Sequence, residues 1–213
     1  MHIRERLELL LQGPKFPEYK WALIRRKTAH LLGAILLVIT YFNGIESSLI
    51  LIYLGALFYS AYELLKWRFN REFALLSRAF RFVGSPEYEW NLPYVGPLFF
   101  GLGTILVLLL FKYPIAFAAI AILTVGDSVA AIVGAIFGKA TLQINYKKSV
   151  EGTLSGFVAA FLAAMLFVSP IVAFVGAFVG MMMEALPIPA DDNLTIPISA
   201  AIAMTLTSIF VAA

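Results

Sequence analysis

Residues 126–157 read GDSVAAIVGAIFGKATLQINYKKSVEGTLSGF, placing Asp127, Lys139, Lys147, Lys148, Ser149 and Glu151 between two apolar runs. In a bilayer every ionisable group is costly, so groups kept there mark a working site by default. Asp127, Ala131, Gly134 and Gly138 fall at i, i+4, i+7 and i+11, one helical face on which a carboxylate heads a groove of small residues. Lys147, Lys148 and Ser149 lead into the next apolar run, which opens with Glu151 and Gly152. Lysines ahead of a helix N-terminus, with its unpaired N–H groups, form an anion site suited to phosphate. Glu151 also complements the helix dipole, and lysines at a membrane border are what the positive-inside rule supplies, so this loop alone is divided between function and topology. GAIFGKAT, residues 134–141, is not a P-loop. Three residues rather than four separate its glycines, Ala140 follows Lys139, and the segment closes a helix instead of opening one.

Other candidates lie further away in the chain. Gly176, Gly180 and Glu184 make a second face of small residues ending in a carboxylate. ADDNLTIP sets Asp191 and Asp192 beside Asn193, which reads as the N-cap of the last apolar run; a cap needs one such residue, and here are three. RRKTAH puts Arg26 and Lys27, expected to contact the nucleotide, at the mouth of the first run with His30 one turn beyond Arg26. Carboxylates for a hard cation, lysines for phosphates and glycines for close approach combine into a phosphoryl-transfer site. Mg²⁺ is held by one or two carboxylates plus substrate phosphates, the candidates being Asp127, Asp192 and Glu184. One aspartate of the Asp191–Asp192 pair is the expected general base or second metal ligand, and His30 the expected orienting or nucleotide-contacting group in its neutral form.

The elements that must position these residues are membrane helices. Of the 213 residues 61% are hydrophobic and 14% charged, against roughly 45–50% apolar in soluble domains. No cysteine is present, which removes thiolate chemistry, and the two histidines, His2 and His30, are too far apart in sequence to suggest a zinc site. MHIRERLELLLQGP is too interrupted by charge for a signal peptide and reads as a short interfacial helix, so residues 1–24 form an interfacial segment and 25–213 the membrane domain. A span needs roughly 20 apolar residues; runs at 28–43, 47–65, 93–111, 114–137, 150–168, 171–186 and 194–212 predict an all-α protein of about seven spans. With the N-terminus in the cytoplasm, Lys139, Lys147, Lys148 and the basic residues of 1–27 and 66–81 share one side and Lys112 stands alone on the other, which predicts N-in, C-out. Apart from Glu46, the carboxylates then open toward the cytoplasm. The one-sided chemistry and lack of an internal repeat weigh against the alternative of a small transporter with a midplane site.

In order along the chain, RRKTAH, GPLFFGLG, GDSVAAIVGAIFGK, KKSVEGTLSGF and DDNLTIP resemble the CTP-dependent lipid-alcohol kinases, which include dolichol kinase, phytol kinase and the CTP-dependent diacylglycerol kinase. The resemblance runs from about Arg25 to the C-terminus. It implies transfer of the γ-phosphate of CTP to an isoprenoid or glyceride alcohol with a divalent metal. By position, Asp127 resembles the metal- or phosphate-anchoring carboxylate, and Lys139, Lys147, Lys148 and Ser149 the phosphate-contacting loop. Glu151 and Gly152 match the family's strongest segment, and Asp191, Asp192 and Asn193 its last. The short chain favours the compact polyprenol or phytol type. The rival is a CDP-lipid synthase, also a user of CTP, whose Lys-Asp, His-Gly-Gly and Asp-Arg-x-x-Asp segments have no counterpart here. The implied partners are a nucleoside triphosphate, a membrane lipid alcohol and the bilayer, with no nucleic acid, and the implied location is the cell membrane with the site facing the cytoplasm.

Overall fold

A computed structural model describes residues 16–69 and 95–211 of the chain. The interfacial helix expected in the first residues, and the basic segment around Arg71, Arg78 and Arg81, lie outside the described residues. Helix α1, Phe16–Leu31, runs without a break across the boundary expected at residue 24 and passes through a 3-10 turn, Leu32–Ala34, into α2, Ile35–Phe69. Then follow α3, Gly96–Leu110; α4, Tyr113–Ala121; a π-helical segment, Ile122–Asp127; and α5, Ser128–Phe137. A hairpin of β1, Thr141–Leu142, and β2, Asn145–Ser149, precedes α6, Val150–Ala164, α7, Pro170–Ala185, and α8, Asp192–Val211. The protein is therefore mostly helical, as expected, but the loop expected after the fourth span is a two-stranded antiparallel hairpin.

Three helical stretches among the described residues are long and apolar enough to cross a membrane: Lys20–Leu65, Tyr113–Phe137 and Asp192–Val211. The first is not a single rod. Gly44 has φ 80° and ψ 168°, a conformation only glycine adopts cheaply, and Thr40 and Ser48 on either side of it share a 2.6 Å hydroxyl hydrogen bond. Eight residues of straight helix would separate them by about 12 Å, so the chain folds back at Gly44. Helices α3, α6 and α7 have 15, 15 and 16 residues, so each reaches only about 22–24 Å at 1.5 Å per residue, short of a bilayer core of about 30 Å.

Inside and outside differ in size of side chain more than in polarity. The interior is alanine-rich, with Ala116, Ala118, Ala119, Ala160, Ala173, Ala177 and Ala200 fully buried, while Leu102, Leu110, Leu154, Phe178 and Phe210 face outward. Helices in lipid gain little from burying hydrocarbon and associate by close approach, which small residues allow. Two seams show this. On one, Gly126, Ala130 and Gly134 meet Gly152, Gly156 and Ala160 of α6; a Cβ on Gly156 would stand 2.6 Å from Ala130 Cβ and 2.8 Å from Gly126 O. On the other, Gly176 and Gly180 of α7 receive Met204 of α8 and Ile122. The groove of small residues expected below Asp127 is thus filled by α6, and its face runs through Gly126 and Ala130, one residue round from Asp127. Gly156→Ala is expected to destabilise the protein by about 1–3 kcal/mol, the cost of overpacking a tight contact, read as earlier thermal unfolding in detergent.

A third close approach joins α3 to α8. Pro197 inside α8 has no N–H for the carbonyl four residues back, that of Asn193. Gly103 of α3 lies directly against that carbonyl, where a Cβ would collide with it.

Candidate functional site

The ends of several helices meet at the hairpin. Asn145 of β2 donates from Nδ2 to Ala185 O at the end of α7 (3.2 Å), the Ala140 N–H at the hairpin's start is held by the Glu151 carboxylate of α6 (3.2 and 3.3 Å), and Asn193 of α8 reaches Gly96 O at the start of α3 (3.4 Å). Alternate helices therefore present opposite termini to one end of the bundle. Ser149 is the N-cap of α6, its hydroxyl accepting from the Gly152 N–H at 3.1 Å. Gly152 is buried in the α5–α6 seam, where a Cβ would stand 2.5 Å from Ala130 O. Ser149, Glu151 and Gly152, expected at the phosphates, are each engaged here in holding the hairpin and the helix start together.

The inner part of the site is Asp127, fully buried at the end of the π-helical segment. The ten residues of α5 set it roughly 15 Å below that helix's end. π-Helical turns inside α-helices are rare and concentrate at functional positions. Asp127 Oδ2 pairs with the ammonium of Lys27 on α1, and His30 Nε2 lies 3.7 Å from the same oxygen. Lys27 and His30 are at i and i+3, so one face of α1 carries both to the carboxylate. Lys27, expected as a nucleotide contact, is buried and engaged here. Arg26 and His30 line a cleft of about 190 Å³ between α1, α3 and the start of α8.

The outer part is built around Lys148. Its Nζ lies 2.5 Å from Glu184 Oε1 and 3.6 Å from Asp192 Oδ2; Glu184 is 1% exposed, Lys148 25% and Asp192 38%. Burial favours the neutral amine, but Glu184, Asp127 and Asp192 outweigh it and hold the Lys148 ammonium above its ordinary value of 10.5. Lys147, its neighbour on β2, is exposed, and Lys139 is exposed at the end of α5. The three lysines expected as one phosphate loop are therefore not equivalent: only Lys148 turns in.

Asp191 and Asp192 also separate. Asp191 Oδ1 accepts from the backbone N–H (2.9 Å) and side-chain amide (2.7 Å) of Asn193, and Asp191 O receives the N–H groups of Leu194 and Thr195. Asp191 is thus the N-cap of α8, and Asn193, expected in that role, stands inside the first turn. Asp191→Ala is expected to cost about 1 kcal/mol of stability through the lost cap with turnover within a few-fold of the parent. Asp192→Asn is expected to leave thermal stability unchanged and to lower turnover, so parallel melting curves and rates separate the two aspartates.

Several buried polar atoms here have no hydrogen-bond partner among the described residues: Asp127 Oδ1, Glu184 Oε2, His30 Nε2 and Ser128 Oγ. Such atoms are costly unless something completes them. Among the described residues no three His, Asp or Glu side chains gather into a metal cage. The donor set instead suits a divalent ion shared between Asp127 Oδ1 or Glu184 Oε2 and the oxygens of a bound phosphate, the way Mg²⁺ is usually held. Ser128 was not among the expected residues; its position beside Asp127 was the available signal. No family model, no curated protein and no solved structure matches the chain.

Proposed function

We propose that the protein is a membrane-embedded kinase that transfers the γ-phosphate of CTP to the hydroxyl of a lipid alcohol of the isoprenoid type. The observation that carries this reading is the convergence of Lys27 and Lys148 with Asp127, Glu184 and Asp192 at one end of an apolar helical bundle. Phosphoryl transfer asks for positioning and neutralisation of charge more than for covalent chemistry, and a set of ammonium and carboxylate groups spanning buried and exposed depths provides both. The alcohol oxygen attacks Pγ as its proton passes to the carboxylate of Asp192, the aspartate of the pair not used as a cap, the bond from Pγ to the bridging oxygen breaks, and CDP departs with that electron pair. Lys148 faces the phosphates as their charge moves onto the leaving group. Asp127 or Glu184 would hold, together with the phosphates, a magnesium ion that offsets the phosphate charge. CTP as donor and a polyprenol or phytol as acceptor come from the family resemblance.

Thin-layer assays with labelled CTP test the reading across geranylgeraniol, phytol, a long polyprenol and diacylglycerol. Appearance of γ-label in the lipid supports it. Transfer of α-label with release of pyrophosphate identifies a cytidylyltransferase instead, and no transfer to any of the four ends the kinase reading.

The reading includes seven spans, N-in and C-out, with the site on the cytoplasmic face. Tyr146 on the hairpin and Lys112 at the α3–α4 turn are both exposed. Single cysteines placed there, in a chain that has none, are expected to react with a membrane-impermeant maleimide from opposite sides of sealed vesicles. Labelling of both from one side overturns the topology.

A further inference from the structure

We infer that the cleft between α1, α3 and the start of α8 receives the hydroxyl end of the lipid alcohol, with the hydroxyl set against His30. The identity of the alcohol rests on the kinase reading; the cleft itself stands on its own geometry. The lining combines polar Arg26, Lys27, His30 and Asn193 with apolar Pro97 and Phe100. Such a surface matches a ligand with one polar end and a hydrocarbon neck. Lys27 is already paired with Asp127, and Lys148 and the exposed Lys139 and Lys147, the lysines available to a triphosphate, belong to the hairpin and its approach and are not in the lining of this cleft.

His30, in the lining of the cleft, has a buried Nε2 with no hydrogen-bond partner, its nearest carboxylate oxygen, Asp127 Oδ2, lying 3.7 Å away. A hydroxyl both donates and accepts, so it can complete that nitrogen whichever way the ring is protonated. Phe100 stands edge-on to His30 with ring centroids 4.9 Å apart, which fixes the imidazole and walls the neck. Gly33 makes room for that ring, since a Cβ there would stand 2.7 Å from Phe100 Cζ.

The test uses the full chain in lipid nanodiscs without nucleotide, with tritiated geranylgeraniol and, separately, labelled CTP. Ala29→Phe, which fills the cleft, and Gly33→Ala, which displaces Phe100, are expected to weaken geranylgeraniol binding about tenfold, the loss of one well-placed buried contact, with CTP binding unchanged. A geranylgeraniol analogue carrying a diazirine beside its hydroxyl is expected to label α1 or α3 in the unmutated protein, which covers variants that fail to fold. Labelling confined to the hairpin, loss of CTP binding with prenol binding intact, or no effect of either folded variant overturns the proposal. If the diazirine labels α1 or α3 and the filled cleft loses geranylgeraniol while no label passes from CTP, the kinase reading falls and the cleft remains.

Discussion

Asp127→Asn is expected to lower turnover by two to three decades at saturating Mg²⁺, which corresponds to an essential charge contact worth on the order of 3–4 kcal/mol. The change keeps the volume and one hydrogen-bond acceptor for Lys27 but removes the charge that the phosphates' counter-ion and Lys27 both use. A structural explanation competes with this one. Lys27 and Asp127 form a buried ion pair, and breaking such a pair by removing one partner costs about 3–5 kcal/mol of stability, because the other charge is left without compensation. The two explanations part at the double variant. Lys27→Met with Asp127→Leu removes both charges and restores an apolar contact, so stability is expected to return to near that of the parent while activity stays lost. Recovery of turnover with stability would reduce the pair to a packing device. Melting curves in detergent and rates on the same four proteins, parent, two singles and double, supply the cycle.

The apolar runs were readable because crossing lipid demands about 20 greasy residues wherever it happens, and the long helices Tyr113–Phe137 and Asp192–Val211 fall where those runs predict. The phase of the small-residue face was harder. Asp127, Ala131, Gly134, Gly138 and Gly126, Ala130, Gly134, Gly138 share two members, and a helix face is too broad for spacing to choose between them; packing against Gly152 and Gly156 of α6 decides for the second. The hairpin escaped notice because Leu142, Ile144 and Tyr146 alternate over too short a stretch to stand out between two helices. Capping of α8 by Asp191 rather than Asn193 could not be read where three good caps follow one another. Least legible was the partner of Asp127. Lys27 is 100 residues away, and nothing in a single sequence says which of several basic residues crosses to a given carboxylate. The spacing of Lys27 and His30, one turn apart on one face, was the available hint.

Lys148→Met is expected to cut turnover by about two decades, the scale for losing one positioned charge on a transferring phosphoryl group, whereas Lys147→Met one residue earlier is expected to stay within about threefold, as surface charges usually do. The contrast separates function from topology. Both lysines would contribute equally to the positive charge of a cytoplasmic loop, so if the loop serves orientation alone the two variants behave alike. Their surroundings make them different, because Lys148 is paired with Glu184 and Asp192 while Lys147 is exposed. The pH dependence supplies a second reading. The folded protein holds the Lys148 ammonium above its ordinary 10.5, so its contribution to stability is complete below the unfolded value and disappears as pH rises through the higher folded one. The stability difference between the parent and Lys148→Met is therefore expected to be constant from about pH 6 to 9 as far as Lys148 is concerned, and to shrink only above about 10.5. A difference that instead changes near neutrality would assign the titration to the facing groups, Glu184 and Asp192. Lys148→Arg keeps the charge but not the compact ammonium that fits against Glu184, so it is expected to recover part of the rate and not all of it.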